Sequence, residues 1–181
     1  MRGKINKERI LEASLEILEN KSPSELTLKE LAEKLNIKSP SLYKHFENID
    51  TLHDWLAEYS LTLLYDVIAT SIKGDTTREK IETLMISCRQ FVLQNLNLYE
   101  YIQNTSYWKS KSTYSISDKI TSQLSSVIEL ENKDETVHFI RYLRSYLTGF
   151  IDLEIKSGFG MSVDLEESFL YGISKILDQV E

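Results

Sequence analysis

The sequence has few of the residues that break helices or link chains covalently. It contains two prolines, six glycines and one cysteine in 181 residues. So few helix breakers permit long uninterrupted helices. A single cysteine excludes an internal disulfide, and no apolar run reaches the ~18 residues of a membrane span. The amino-terminal stretch carries acidic residues and lacks the apolar segment of a secretory signal. We therefore expect a cytoplasmic protein without a membrane partner.

The patterns typical of an enzyme are also missing. The three histidines, His45, His53 and His138, do not have the spacing of a metal site, and there is no glycine-rich phosphate loop. Cys88 could act as a nucleophile, but it falls on an apolar helix face, where a thiol more often packs as a small hydrophobic group. We predict a protein that is not an enzyme and that uses no metal and no cofactor.

Helical periodicity is what the sequence does contain. Apolar residues recur at helical spacing in about nine segments, which predicts an all-α fold. One predicted helix, from near Asn48 to about Lys73, is long enough to connect an amino-terminal head to a helical body. Ser110–Ser117 is polar and serine-rich, so we predict a loop or a mobile helix start there. Two later helices are predicted to end near Glu129 and Val180.

The stretch Thr27–Phe46 has the pattern of a helix-turn-helix. Thr27 is followed three residues later by Glu30, which is the pattern of a capping box, and Asn36 ends the first helix. Ser39 is the predicted N-cap of the second helix, with Pro40 at its first helical position.

The outward face of this second helix has the chemistry of a DNA contact. With Leu42 facing the core, the helix turns hydroxyl, ammonium, imidazole and phenol groups outward and no carboxylate. A small helical hairpin with a solvated face would show the same pattern, because helix-turn-helix shapes are common outside DNA binding.

The run from Thr27 to Leu52 resembles the DNA-binding signature of the tetracycline-repressor-like (TetR) regulators. Their motif has a Thr at the start of the first helix, an Ala-x-x-x-Gly/Asn-Ile/Val turn and a Leu-Tyr-x-His-Phe ending. One position differs, because the family often has Lys three residues after the Phe, where this sequence has Ile49. The residues that fit are Thr27, Ala32, Asn36, Ile37, Leu42, Tyr43, His45 and Phe46.

The resemblance implies which residues contact DNA. The start of the first helix contacts phosphates, the middle of the second contacts phosphates and groove walls, and the turn lies nearest the base edges. The implied contact residues are Thr27, Lys29, Lys38, Ser39, Pro40, Ser41, Tyr43, Lys44 and His45. Three basic residues near the amino terminus are further candidates for phosphate contact: Arg2, Lys4 and Lys7.

The run from Leu143 to Phe169 resembles the C-terminal domain of a TetR subgroup known for a Trp-His-Gly motif, with Gly149 in place and Thr148 where the subgroup has His. The resemblance implies a homodimer whose last two helices form a four-helix interface. The same apolar stripes could instead close the core of a monomer. The predicted interface residues are Phe150, Leu153, Phe169, Ile173, Ile176 and Leu177.

The resemblance also implies two domains, a helix-turn-helix DNA-binding domain at 1–48 and a helical effector-binding and dimerisation domain at 49–181. The net charge of −7 lies outside residues 1–50, which carry nine basic and nine acidic side chains. Nine of the ten tyrosines follow residue 50, which suits an aromatic-lined pocket, although an aromatic-rich core is the alternative. The candidate pocket residues are Leu63, Leu84, Cys88, Phe91, Tyr107, Trp108, Phe139 and Tyr142.

These features predict a TetR-like bacterial regulator of transcription, with repression as the commoner outcome in that family. It would bind a near-palindromic operator in double-stranded DNA as a homodimer and be released by a small-molecule effector in its helical body. The alternative is a dimeric helix-turn-helix protein without an effector, which is controlled by a protein partner or is constitutively active. A body without a cavity would favour that alternative.

Overall fold

The computed structural model describes residues 5–128, 130 and 132–178, and these residues form helices and no strand. With the 3₁₀ helix at Ser39–Lys44 counted as the second helix of the helix-turn-helix, the predicted all-α fold of about nine helices is confirmed. The ends predicted at Glu129 and Val180 lie outside the described residues. The helices are α1 (Lys7–Leu18), α2 (Leu28–Lys34), α3 (Ile49–Ser71), α4 (Thr77–Gln94), α5 (Leu96–Gln103), α6 (Lys111–Val127), α7 (Lys133–Ile155) and α8 (Leu165–Leu177), with 3₁₀ helices at Pro23–Glu25, Ser39–Lys44 and Thr105–Tyr107.

Several helices begin where the sequence supplies a side chain that accepts a backbone N–H. The Asn6 side chain accepts from Arg9 N at 3.0 Å and starts α1. Before α4, Thr76 and Glu79 form a complete capping box, because each side chain accepts the other residue's backbone N–H, at 3.2 and 3.1 Å. These bonds satisfy donors that the first turn of a helix cannot use internally.

The chain forms two compact units, and the first is discontinuous in sequence. It runs to Leu63 and then includes Asn95–Ser117, so α5 and the first turns of α6 belong to the same body as the helix-turn-helix. The domain boundary predicted between residues 48 and 49 concerns function and stays a prediction. The most deeply buried side chains of this unit include Ile10, Leu18, Leu31, Leu42, Leu52, Leu56 and Tyr101.

Helix α6 begins at Lys111, so of the two alternatives predicted for Ser110–Ser117 the structure has a helix start and not a loop. The cause is Asp54 of α3, which is 5% exposed. Its Oδ1 accepts from the backbone N–H groups of Lys109 and Ser110, at 2.7 and 3.1 Å, and from the Thr113 hydroxyl at 2.8 Å. A carboxylate at a helix N-terminus satisfies orphan donors and favours the helix dipole. This stabilisation comes from a residue 55 positions away, which local sequence does not show.

The second unit consists of Leu64–Gln94 and the chain from Asp118 onward. Its main core is formed by side chains of α4, α7 and α8 and by the end of α6. The buried members are Ile81, Met85, Val127, Ile128, Phe139, Leu143, Phe150, Phe169, Ile173, Ile176 and Leu177.

A buried ionic cluster joins three helices of this unit. The Arg89 guanidinium donates to both carboxylate oxygens of Glu154, at 2.8 and 2.7 Å, and also to Glu166. Its carbon lies 4.9 Å from the centre of the Phe169 ring. The hydrogen bond to Glu154 and that to Glu166 outweigh burial and raise the pKa of Arg89. The buried Arg89 side chain pairs with one carboxylate from α7 and one from α8, so this cluster fixes α4, α7 and α8 together.

Helix α8 crosses α7 at Gly172. The Tyr146 hydroxyl of α7 donates to the carbonyl of Phe169 at 2.9 Å. A Cβ at residue 172 would meet that hydroxyl oxygen at 2.1 Å, so the crossing requires glycine. Among the described residues, none of the helices combines the length and the apolarity that a membrane span needs.

Candidate nucleic-acid interface

Helix α2 has a well-defined start and end. The Thr27 hydroxyl accepts from Glu30 N at 3.3 Å, as predicted. The reciprocal half of the capping box is absent, because the Glu30 carboxylate accepts instead from Lys21, at 2.8 and 2.9 Å. At the other end Asn36 has φ 54°, with Asn36 N donating to Glu33 O and Ile37 N to Ala32 O, at 3.0 and 2.9 Å. This is a Schellman motif, in which asparagine tolerates the left-handed conformation.

The segment after this turn, Ser39–Lys44, is a 3₁₀ helix, which we call the recognition segment. Its N-cap is Lys38, so the prediction that Ser39 would be the cap is wrong by one residue. A 3₁₀ helix has about three residues per turn, so side chains three apart lie in one column. Ser39 and Leu42 share the inward column, since Leu42 is fully buried. Pro40 with Tyr43, and Ser41 with Lys44, form the two remaining columns.

The exposure of the side chains follows these columns. Pro40, Tyr43 and Lys44 are exposed, with Tyr43 at 57%, whereas Ser41 and His45 are half-buried. Thr27, Lys29 and Lys38 are also exposed, and Ser39 is half-buried. None of the nine predicted DNA-contact residues is therefore hidden in the core. Their contact with DNA stays a prediction.

Ion pairs leave two lysines of the helix-turn-helix available for a phosphate. Lys34 pairs with Glu16 at 2.6 Å, and Lys29 lies 4.0 Å from Glu33 with both side chains well exposed. The described residues contain no ion pair for Lys38 or Lys44, and these two lysines flank the recognition segment. Exposed pairs such as Lys29–Glu33 are weak, so a phosphate could also compete for Lys29.

The start of α3 does not offer the usual phosphate contact. The Asn48 side chain accepts from Thr51 N at 3.0 Å and caps the helix. Ile49 is half-buried and Asp50 is exposed, so the first turn presents a carboxylate and no basic group. Of the basic residues near the amino terminus, Arg2 and Lys4 lie outside the described residues. Lys7 has another partner, because its Nζ lies 3.0 Å from Glu58.

Residues that sequence reasoning missed support the recognition segment from behind. The Phe46 ring, just after the segment, meets Trp55 of α3 edge to face at 5.7 Å. Lys7 Nζ lies 4.9 Å from the centre of the Trp55 ring, which is a cation–π distance. In the sequence, only the helical spacing of the aromatic residues indicated the contact between Phe46 and Trp55.

His53, adjacent to Asp54, fixes α5 to α3. Its Nδ1 lies 2.8 Å from the hydroxyl of Tyr101. Burial lowers the pKa of His53, although nearby Asp50 and Glu100 act in the opposite direction. Burial raises the pKa of the Tyr101 hydroxyl. The histidine is therefore neutral and the tyrosine protonated near neutral pH.

The predicted effector residues do not fall into one unit. Leu63, Tyr107 and Trp108 belong to the first unit, and the other five belong to the second. Leu84, Cys88, Phe91 and Phe139 are buried, and Tyr142 is exposed. Burial raises the pKa of the Cys88 thiol to about 12, so this cysteine is an inert apolar group at neutral pH. The pocket stays a prediction.

The predicted dimer residues are placed differently from one another. Phe150, Phe169, Ile173, Ile176 and Leu177 fill the core of the second unit in a single chain. Leu153 is 47% exposed. The side chains that a single chain leaves uncovered on α7 and α8 also include Tyr142 and Tyr171. The interface stays a prediction. The sequence could not separate the exposed residues from the core, because both sets are apolar and at helical spacing.

Two family models and a bacterial relative match this chain in sequence. Residues 10–54 match the family model described as bacterial regulatory proteins of the tetR family, and residues 81–176 match the tetracyclin repressor-like C-terminal domain. The uncharacterized HTH-type transcriptional regulator YobS of Bacillus subtilis is 29% identical over 93% of this chain and 88% of its own.

Solved structures show the same fold. A protein of unknown function from Rhodococcus sp. RHA1 superposes with a TM-score of 0.84 at 14% identity, covering 98% of this chain and 96% of its own. A TetR variant from Acinetobacter baumannii AYE, solved in complex with minocycline, gives 0.69 at 21% identity, covering 97% and 96%. With both family models matched in order along a helical chain that carries the helix-turn-helix, the protein belongs to the TetR family of transcriptional regulators.

Proposed function

We propose that this TetR-family regulator binds a near-palindromic operator as a homodimer and places one recognition segment in the major groove of each half-site. The observation that carries this proposal is the recognition segment itself. Leu42 anchors one column of the 3₁₀ helix in the core, so Tyr43 and Lys44 stand outward. The lysines at its two ends have no ion pair among the described residues. A segment of six residues reads few bases, and a two-fold axis doubles what it reads.

The dimer is proposed to form through the exposed faces of α7 and α8. Leu153 of α7 and Tyr171 of α8 are 47% and 67% exposed in one chain, so both large side chains are available to a partner. Gly149 lies one turn before Leu153 on α7, and a Cβ there would have nothing within 4 Å. An exposed glycine in the middle of a helix costs about 1 kcal/mol relative to alanine, which a closely approaching partner helix would explain.

The regulator is proposed to repress transcription and to release its operator when a small molecule binds in the helical body. The TetR variant solved with minocycline supports a small-molecule effector for this fold. The chemistry of the effector is left open, because the predicted pocket residues lie in both units.

The operator is tested by footprinting the purified protein on intergenic DNA upstream of its own gene. We expect a protected near-palindrome occupied by two chains. Tyr43→Ala and Lys44→Ala should each weaken binding at least about tenfold, because both heads of a dimer lose the contact. Lys73→Ala, also an exposed lysine but outside the helix-turn-helix, is the matched control. Unchanged binding by both recognition variants would refute the assigned face.

The dimer is tested by Leu153→Glu, which introduces a charge on the exposed face of α7. We expect the variant to sediment as a folded monomer and to lose cooperative operator binding. Val137→Glu is the control, because Val137 is also an exposed apolar residue of α7 but lies about 160° around the helix from Leu153. A Leu153→Glu protein that remains dimeric would place the interface elsewhere.

A further inference from the structure

We propose that His53 is a positioning residue for operator binding, whose neutral form holds α5 against α3 and whose protonation weakens the grip of the head on DNA. This inference rests on the DNA-binding function proposed above. It concerns a residue that does not face DNA and that the helix-turn-helix motif does not include.

His53 lies in a buried, aromatic environment. The side chain is 8% exposed and Tyr101, its hydrogen-bond partner, is fully buried. The imidazole packs against two phenol rings, with its centroid 5.8 Å from that of Tyr101 and 5.0 Å from that of Tyr107. The rings of Tyr101 and Tyr107 are themselves 4.9 Å apart. Three aromatic side chains from α3, α5 and the 3₁₀ helix Thr105–Tyr107 therefore form one packed cluster.

Protonation of the His53 ring would change its hydrogen bond to Tyr101. In the tautomer of neutral His53 that carries its proton on Nε2, Nδ1 accepts from the Tyr101 hydroxyl at 2.8 Å. A protonated ring carries a hydrogen on both nitrogens, so Nδ1 can only donate to the tyrosine oxygen, and the hydrogen of the Tyr101 hydroxyl loses its acceptor. The added charge would also lie in a cluster of aromatic rings with little water.

The charged groups around the aromatic cluster offset the cost of a positive charge on His53 only in part. Asp50 lies one turn before His53 on α3, and Glu100 lies on α5 beside Tyr101. The Glu100 carboxylate already accepts from the Tyr107 hydroxyl at 3.1 Å. Burial outweighs both carboxylates, so the pKa of His53 in the folded protein is below its ordinary value of 6.5.

Helices α5 and α3 connect the aromatic cluster to the predicted DNA-contact residues within the same unit. Helix α5 packs against the 3₁₀ helix Pro23–Glu25, which leads directly into Thr27 at the start of α2. Helix α3 follows the recognition segment directly, and its Trp55 contacts Phe46. If α5 moves away from α3, the 3₁₀ helix Pro23–Glu25 before α2 loses a packing partner. Helix α3, which supports the recognition segment, loses one as well.

The sign of the pH effect follows from the lowered pKa. The contribution of His53 to stability is complete above about pH 6.5, the ordinary histidine value, and is lost as the pH falls toward the folded value. His45 is a second histidine of the same unit and is one of the predicted DNA-contact residues. The two histidines must therefore be separated by comparing variants that both retain His45.

The experiment measures operator affinity between about pH 7.5 and about pH 5.5 for the wild type, His53→Asn and His138→Asn. Asparagine keeps a hydrogen-bonding group near the position of Nδ1 but does not take up a proton. We expect the wild type and the exposed-histidine control His138→Asn to lose at least about fivefold more affinity in acid than His53→Asn. Equal losses in all three proteins would overturn the proposal.

A second measurement keeps the test independent of that variant's folding. In the wild type, NMR follows the His53 ring and the amide resonances of Tyr101, Leu26 and Thr27 as the pH falls. We expect all four to change with one midpoint below about 6.5. A His53 titration that leaves Leu26 and Thr27 unchanged would overturn the proposal. Absence of operator binding at every pH would instead refute the DNA-binding function, and the NMR titration would still report on His53.

Discussion

At the scale of single residues, Asp54 does more for the fold than its position in the middle of a helix suggests. Burial alone would raise the pKa of this carboxyl, but the hydrogen bonds from Lys109 N, Ser110 N and the side chains of Ser110 and Thr113 lower it. A carboxylate held in this way stabilises the folded state wherever it is ionised. The start of α6 therefore depends on a charge that α3 supplies.

We expect Asp54→Ala to lower the free energy of unfolding by about 2 kcal/mol, because several buried donors lose a charged acceptor. Urea unfolding followed by circular dichroism measures the loss. The contribution of Asp54 is present above its ordinary pKa of 3.8 and is lost as the pH falls through the lower folded value. The stabilities of wild type and variant should accordingly converge in acid.

Asp66→Ala is the matched control, since Asp66 is an exposed aspartate on the same helix. Its effect should stay within about 0.5 kcal/mol. An Asp54→Ala protein as stable as this control would show that the start of α6 does not need the carboxylate.

At the scale of elements, two helical glycines have opposite surroundings. Gly172 of α8 lies under the Tyr146 hydroxyl, whereas Gly149 of α7 has open space around its missing Cβ. Helix propensity alone would predict that alanine stabilises both positions. Packing should reverse the sign at one of them.

We expect Gly172→Ala to destabilise the protein by about 1–3 kcal/mol, because the new methyl group forces Tyr146 away and breaks its bond to Phe169. Gly149→Ala should stabilise an isolated chain by up to about 1 kcal/mol. Thermal unfolding at low concentration compares the two variants. Equal effects of the two substitutions would contradict the crossing of α7 and α8 described above.

How far the sequence predicts these elements depends on where each stabilising group comes from. Asn6, Thr27 and Asn36 act on residues within a few positions, so caps and ends at these sites could be predicted. The start of α6 has a local cap, because Ser110 Oγ accepts from Thr113 N at 3.2 Å, but the Asp54 carboxylate that accepts from Ser110 N comes from α3 and is not visible in the local sequence. Glu30 shows the same limit, because Lys21 competes for the carboxylate that local pattern assigns to a capping box.

At the scale of the whole molecule, an acidic protein must bind a polyanion through a small neutral head. Salt at 0.1 M screens charges over about 10 Å, so the lysines nearest the phosphates decide affinity and the net charge of −7 matters less. Lys29, Lys38 and Lys44 are exposed lysines of the helix-turn-helix. Lys29 is only weakly paired, and Lys38 and Lys44 have no acidic partner among the described residues. The proposed dimer brings two copies of each to DNA.

We expect the logarithm of operator affinity to fall with the logarithm of salt concentration with a slope of about −5, at about 0.9 for each of six neutralised phosphates. Lys44→Ala should reduce the magnitude of that slope by about 2, since both heads lose one contact. Fluorescence anisotropy at several salt concentrations measures it. A slope unaffected by Lys44→Ala would remove Lys44 from the phosphate contacts.

Sequence reasoning at this scale identified the head but not the faces of the body. Apolar residues at helical spacing give the same sequence pattern whether they fill a core or form an interface. The sequence therefore predicts both Phe169 and Leu153 as interface residues. Burial in the folded chain separates them, with Phe169 in the core and Leu153 exposed.

The discontinuous first unit also bears on how the protein is made. Translation proceeds from the amino end at about 5–20 residues per second, so the helix-turn-helix leaves the ribosome well before Asn95–Ser117. Until then α3 lacks both the tyrosine that binds His53 and the amides that bind Asp54. A nascent chain interrupted after α4 would therefore expose two buried polar groups, and we expect such a truncated product to be degraded rather than to compete with the intact regulator for its operator.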